Sequence, residues 1–304
     1  MVYIRNKKVK GTDYAYLVQS VWDPKRNISR QSTIKYLGKA SEVTIEDIPE
    51  EYRDDTKILA FVSAFSSHQE ERKELISRIQ EEVFILLNDC NVKGLVDIYE
   101  KYSRLFGLTD FYDKLLKPVM YRIGDLWQKG QLDVATEHAS TNTALGLVKI
   151  INERITARTK EPSSRYKAVI CTPDGELHGL ACNMIESLLL SKGFKVYNIS
   201  TSIPSDYIID YIRDLQPDIV LVSITLVENI KSAERIIHQI HAKYNNKLPV
   251  VVGGSAFNNM KQYQNNIIDA FIINYASFGD IMKLVKVSMP VSYTHLTLPT
   301  TSRV

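Results

Sequence analysis

Between residues 166 and 290, short apolar runs alternate with stretches in which apolar residues recur every three or four positions. The runs at 166–171 (YKAVIC), 194–199 (FKVYNI), 218–224 (DIVLVSI), 249–252 and 270–273 predict five strands, and residues 181–192, 206–215 and 228–244 predict helices between them. A last helix is predicted beyond Ile273. Parallel strands need crossover helices, so the alternation predicts an α/β fold class with a doubly wound, parallel five-stranded sheet.

Residues 56–159 show little strand character and a helical spacing instead. Ile76, Ile79, Val83, Leu86 and Leu87 mark one stripe; Phe111, Leu115, Val119, Ile123, Leu126 and Trp127 mark another. Four or five such helices, broken at 88–92, Gly107 and Gly130, predict a helical bundle. Residues 160–165 read as its linker to the sheet. At the front, residues 14–21 and 31–37 read as strands joined by a turn at 23–27, a small β module over 1–40. Residues 41–55 form an acidic connector with the character of a solvated linker.

Composition changes this picture in two places. The 304-residue chain carries a net charge of only +3, yet residues 1–40 hold nine basic residues against two acidic ones. They are Arg5, Lys7, Lys8, Lys10, Lys25, Arg26, Arg30, Lys35 and Lys39, against Asp13 and Asp23, and they alternate with Tyr3, Tyr14, Tyr16, Trp22 and Tyr36. Such a surface could contact the phosphates of DNA, with a solvated basic face or a protein-docking module as the alternatives. Three cysteines, Cys90, Cys171 and Cys182, in a chain without a leading apolar signal read as buried or free thiols in a reducing compartment. No stretch approaches the roughly 20 apolar residues of a membrane helix, so a soluble, cytoplasmic protein is expected.

The candidate chemistry lies after the first strand of the sheet, where Gly175-Glu176-Leu177-His178-Gly179 sets an acid-X-histidine triplet in a glycine-flanked turn. A metal-binding imidazole commonly donates its second N–H to a carboxylate, which fixes the tautomer and strengthens the ligand. A zinc site from Cys171, His178 and Cys182 is the rival metal reading, but its spacing fits no common zinc pattern and no fourth ligand is evident. Ser223-Ile224-Thr225 and Gly253-Gly254 also stand at the carboxyl ends of predicted strands, where doubly wound sheets bind ligands.

With these residues in place, 166–288 resembles the cobalamin (vitamin B12)-binding domain, a Rossmann-like fold. The resemblance implies that His178, from a loop written Asp-X-His-X-X-Gly in most members, replaces the cofactor's dimethylbenzimidazole as lower cobalt ligand. Gly175, Glu176, Leu177 and Gly179 would complete that loop. It also implies that Ser223, beside Thr225, bonds the displaced base, and that Gly253 and Gly254 let the nucleotide tail approach the backbone. Glu176 stands where most members have Asp, and Ala181 where they have the final glycine. The bundle carries Trp127, Gly130 and the pair Glu137-His138 at a spacing similar to the helical cap of light-sensing transcription regulators that use adenosylcobalamin. In those proteins the Trp and the Glu-His pair cover the upper face of the corrin. Gln128 follows Trp127 where some of them place a histidine.

The resemblance thus implies a cobalamin sensor and transcription regulator, its oligomerisation or its basic module changing when the upper ligand is lost. A corrinoid carrier, passing a methyl group as methylcobalamin between methyltransferases, has the same architecture and remains open, as does a cobalamin domain that has lost its role. The chain offers no nucleophile–base pair or phosphate loop, so it is not expected to be an enzyme by itself. The front module resembles, weakly, the leading region of some transposases. Residues 291–300 (VSYTHLTLPT) resemble a translated sequencing adapter, so His295 and the tail over 291–304 carry no functional argument.

Overall fold

The computed structural model describes residues 2–23, 28–65, 69–158, 166–245, 247–257 and 271–272. The chain forms two compact units, Met1–Leu147 and Val148–Val304. Their division falls inside a helix, whereas the sequence placed it at 160–165, which lies outside the described residues.

The first unit opens with three antiparallel strands, β1 (Val2–Val9), β2 (Thr12–Asp23) and β3 (Ile28–Lys39), in the order β1-β2-β3. The sequence predicted β2 and β3 but not β1. As an edge strand β1 pairs on one side only, and it tolerates Arg5, Lys7 and Lys8, which hide its apolar alternation. Residues 24–27, read as the turn, lie outside the described residues. Ala15 and Leu17 of β2 are buried on one face, opposite Asn6 and Ile4.

The connector departs from the solvated linker expected of it. Short 3-10 turns at Ala40–Glu42, Ile45–Asp47 and Glu50–Tyr52 follow β3, and Val43 and Ile48 are buried. Asp47 caps its own turn, its Oδ2 accepting from the Thr44 N–H at 2.9 Å and the Thr44 hydroxyl at 3.1 Å. Apolar residues interspersed among the acids anchor the segment, which charge counting alone overlooks.

Five helices follow: α1 (Thr56–Phe65), α2 (Gln69–Asn88), α3 (Val92–Phe111), α4 (Lys117–Gln128) and α5 (Val134–Arg158). In α2 the buried row is Leu75, Ile79, Val83 and Leu87, with Ile76 and Leu86 at its margin. A π-helical turn, Tyr112–Leu116, joins α3 to α4, and Phe111, Leu115, Val119 and Ile123 are all buried. Trp127, next in that row, is 45% exposed, so it does not complete the core. Gly107 breaks α3 at φ +83°, and Gly130 ends α4 at φ +67°, positions where a Cβ would be strained.

The second unit is the predicted doubly wound sheet. Its elements are β4 (Lys167–Cys171), α6 (Leu180–Ser191), β5 (Lys195–Asn198), α7 (Ser205–Leu215), β6 (Ile219–Ser223), α8 (Ile230–Tyr244), β7 (Val250–Gly253) and β8 (Phe271–Ile272). All strands are parallel, in the order β5-β4-β6-β7-β8. Every residue of β6 is buried, as expected of a strand covered on both faces, and α7 and α8 pack Ile208, Ile212, Ile236, Ile237 and Ile240 into the core. The end of α5 belongs here because Asn152 accepts a hydrogen bond from Ser187 of α6. The last predicted helix and the tail lie outside the described residues. Among the described residues, no helix is long and apolar enough to cross a membrane.

One buried group in the bundle lacks a partner. Tyr102 is fully buried, stacked on Phe106 at 4.5 Å, and its hydroxyl has no hydrogen-bond partner among the described residues. Burial, reinforced by the charge of Asp110, pushes its ionisation well above the usual range. Because an unsatisfied buried hydroxyl costs about 1–3 kcal/mol, Tyr102→Phe is expected to raise stability by about 1 kcal/mol in urea denaturation. A loss of stability instead would show that the hydroxyl is bonded in solution.

Candidate functional site

In the order β5-β4-β6, the chain leaves β4 toward one edge and returns on its other side at β6. This makes the carboxyl end of the β4/β6 pair the switch point at which such sheets open a crevice. The loops leaving the two strands meet there through Glu176. Its side chain is fully buried, and donors from both loops surround its carboxylate. Oε1 accepts the His178 backbone N–H at 3.1 Å and lies 2.5 Å from His178 Nδ1. Oε2 accepts from the Thr225 N–H at 2.8 Å, the Leu226 N–H at 3.0 Å and Asn229 Nδ2 at 3.1 Å.

Burial alone would push the Glu176 carboxyl up. The bond to His178 and those from Leu226, Asn229 and Thr225 outweigh it and hold the group at about 2. Glu176 is therefore an anion at neutral pH. A carboxylate beside Nδ1 assigns the imidazole proton to Nδ1 and the Lewis-basic lone pair to Nε2. The His178 side chain is 54% exposed, so the pair combines a buried anchor with an imidazole at the surface. This donor set fits a metal centre that takes one imidazole from the protein, and the longer acid still reaches Nδ1.

The loop is held by groups that motif spacing did not single out. The Thr172 hydroxyl donates to the Glu176 carbonyl at 3.2 Å and accepts from the Ser202 N–H at 3.0 Å, while the Gly175 N–H donates to Ser202 Oγ at 3.1 Å. Gly175 turns the chain at φ +86°, and a Cβ there would lie 3.2 Å from Asn229 Oδ1. Leu177 projects outward beside His178, 73% exposed, and Gly179 stands at the start of α6. Asn229 precedes α8 but makes no side-chain capping bond to it. The sequence spacing starts that helix at residue 228 and makes Asn229 a helical residue, whereas it precedes α8 and its side chain serves Glu176.

Thr225 contributes through its backbone, and its carbonyl accepts from Ser255 Oγ at 3.1 Å. Ser223 is buried and pairs with Gly253 in the β6–β7 ladder. Gly254, at φ +125°, would place a Cβ 2.0 Å from the Ile224 carbonyl oxygen. The protein's own backbone therefore already requires a glycine there, independently of any ligand tail. Burial pushes the Cys182 thiol up to about 12, against the hydroxyls of Ser200 and Ser223, and drives the Cys171 thiol up as well. The zinc alternative finds no support: both thiols are buried, and among the described residues no three His, Cys, Asp or Glu side chains are grouped to hold a metal.

The remaining predicted residues lie in the first unit. Trp127 ends α4 with its ring partly in solvent. Glu137 and His138 lie near the start of α5, with His138 Nδ1 2.6 Å from Glu137 Oε2 and Glu137 Oε1 accepting from the Thr141 hydroxyl at 2.9 Å. The exposed imidazole is thus paired with its neighbour.

Two family models match the chain, both described as B12 binding domain, one over residues 166–277 and the other over 79–152. Residues 166–277 and 79–152 are each similar to a B12 binding domain. The second match spans Trp127, Glu137 and His138, and the first spans the Glu176–His178 loop. Among curated relatives, the methionine synthase of Mycobacterium tuberculosis is 25% identical over 198 residues, 64% of this chain but 16% of that protein. Dimethylamine corrinoid protein 1 of Methanosarcina mazei is 19% identical over 185 residues, 60% of this chain and 83% of the relative. The monomethylamine corrinoid protein of Methanosarcina barkeri shares the fold, with a TM-score of 0.58 at 11% identity over 70% of this chain and 99% of that one.

The anion at Glu176 makes the sheet unit acid-sensitive. Its folded value lies below the ordinary 4.5, so its contribution is complete above about pH 4.5 and is lost as pH falls toward about 2. Glu176→Gln leaves one acceptor oxygen where donors now fill two, so an amide NH2 is set against either the His178 N–H or the donors from Thr225, Leu226 and Asn229. It is expected to cost about 1–3 kcal/mol at neutral pH and to flatten the decline in stability across that acid range, as read by urea denaturation. A variant as stable as the parent would show that the carboxylate does not hold the two loops together.

Proposed function

We propose that this protein is a corrinoid protein that holds cobalamin through His178 and presents it to a partner methyltransferase. The observation that carries the reading is the Glu176–His178 pair at the switch point, an oriented imidazole on a buried, ionised carboxylate. The names of the relatives, corrinoid proteins of methylamines and a methionine synthase, support methyl transfer over light sensing. Bound cobalamin would supply a cobalt able to accept and release a methyl group. The chain's own residues would bind and orient: His178 would hold the cobalt through Nε2, and Glu176 keeps the proton on Nδ1. Gly175, Leu177 and Gly179 shape the lower loop, while Ser223, Thr225, Gly253 and Gly254 form the strand ends beside it. The polypeptide acts here as a carrier, with position and electrostatics as its contribution.

A sensor reading rests on a separate observation, the partly exposed Trp127 with the Glu137–His138 pair, which suit an adenosylated cofactor. The two readings are separable on one preparation. Protein loaded with methylcobalamin is expected to show the spectrum of an imidazole-ligated cobalt, which His178→Ala converts to a base-off spectrum, and to give up its methyl group to the acceptor of a corrinoid-dependent methyltransferase. Protein loaded with adenosylcobalamin is expected to keep its gel-filtration volume after green light. A light-dependent change in that volume, without methyl transfer, would replace the carrier with the sensor. Retention of the spectrum in His178→Ala would remove the assigned ligand from both.

A further inference from the structure

We propose that the open face of the amino-terminal sheet binds single-stranded nucleic acid. The strand register sets two rows of side chains across that face, Lys7–Tyr14–Lys39 and Arg5–Tyr16–Tyr36. The rings confirm that they share it: Tyr36 lies 5.1 Å from Tyr16 and 6.5 Å from Tyr14, the latter pair stacked. Tyr36 is 54% exposed and Trp22, farther along β2, is 57% exposed. The opposite face buries Ala15 and Leu17, and on the tyrosine face Val18 is buried while Tyr14, Tyr16 and Tyr36 keep access to solvent.

Charge and aromatic surface occur together on this face. Arg5, Lys7, Lys8 and Lys10 are all exposed along β1 and the turn that follows it. Lys39 is ion-paired with Glu42 at 2.9 Å, and Lys35 donates to the Asp47 carbonyl at 2.7 Å, so the connector ties down both β3 lysines while Arg5, Lys7 and Lys8 line the β1 edge. Lysines on an edge strand also deter sheet-to-sheet pairing, which accounts for the charge. That role does not account for three tyrosines held side by side on an open face. Stacking platforms bordered by cations are the means by which proteins hold unpaired bases, because every base offers a π-face and every linkage a phosphate. Neither family model reaches residues 1–78, so this face is independent of the cobalamin reading.

The full-length protein would be titrated against fluorescein-labelled oligothymidylate of about 16 nucleotides, an abasic strand of the same length and a matching duplex, by anisotropy at several salt concentrations. Oligothymidylate is expected to bind most tightly. Tyr36→Ala should weaken it by about 5- to 150-fold, and Tyr36→Phe should preserve it. Arg5→Gln with Lys7→Gln should reduce the salt slope by about 0.7 for each phosphate that is no longer neutralised. Equal binding of the abasic strand, tighter binding of the duplex, an unchanged Tyr36→Ala or no binding at low salt would each overturn the proposal.

Discussion

The site depends on one buried anion. A carboxylate taken out of water is costly unless its lone pairs are filled, and Glu176 is tolerated because donors from both of its neighbouring loops converge on it. The arrangement works in both directions. The loops after β4 and β6 hold the anion, and the anion pins those loops and fixes the ring of His178. A ligand imidazole at the surface is thereby given a fixed orientation by an interaction made wholly in the interior.

The sheet makes this convergence available. With β4 flanked by β5 and β6, the loops that leave β4 and β6 emerge side by side at the same end, although 49 residues separate Glu176 from the Thr225 N–H it accepts. The glycines serve the same closeness. Gly254 lets the strap after β7 press on Ile224, and Gly175 lets the ligand loop turn under Asn229. A side chain at Gly254 would push apart the loops that the carboxylate draws together.

The first unit is organised differently, by rows of apolar residues four apart and by short local caps. The row Phe111, Leu115, Val119 and Ile123 closes the bundle, and it stops before Trp127, whose ring is left partly in water. Likewise Tyr36 and Trp22 stay exposed on a sheet whose other face supplies the core.

The strands and helices of the sheet unit were legible in the sequence because buried parallel strands are written as unbroken apolar runs bounded by turns, as in IVLVS of β6. The triplet Glu176-Leu177-His178 was legible for the same local reason: three adjacent residues suffice to state a ligand and its orienting acid. β1 was not legible, because an edge strand needs no apolar run, and neither was the anchoring of the acidic connector by Val43 and Ile48. By itself the sequence determined the fold class, the bundle and the identity of the candidate ligand, since each is encoded in spacing along a few turns or strands. Only the tertiary structure decided that Glu176 is a buried anion shared with Thr225, Leu226 and Asn229, that Gly254 answers to a neighbouring backbone, and that Trp127 stands outside the core. Those facts are set by which distant loops the strand order brings within hydrogen-bonding reach, and spacing along the chain does not contain that distance.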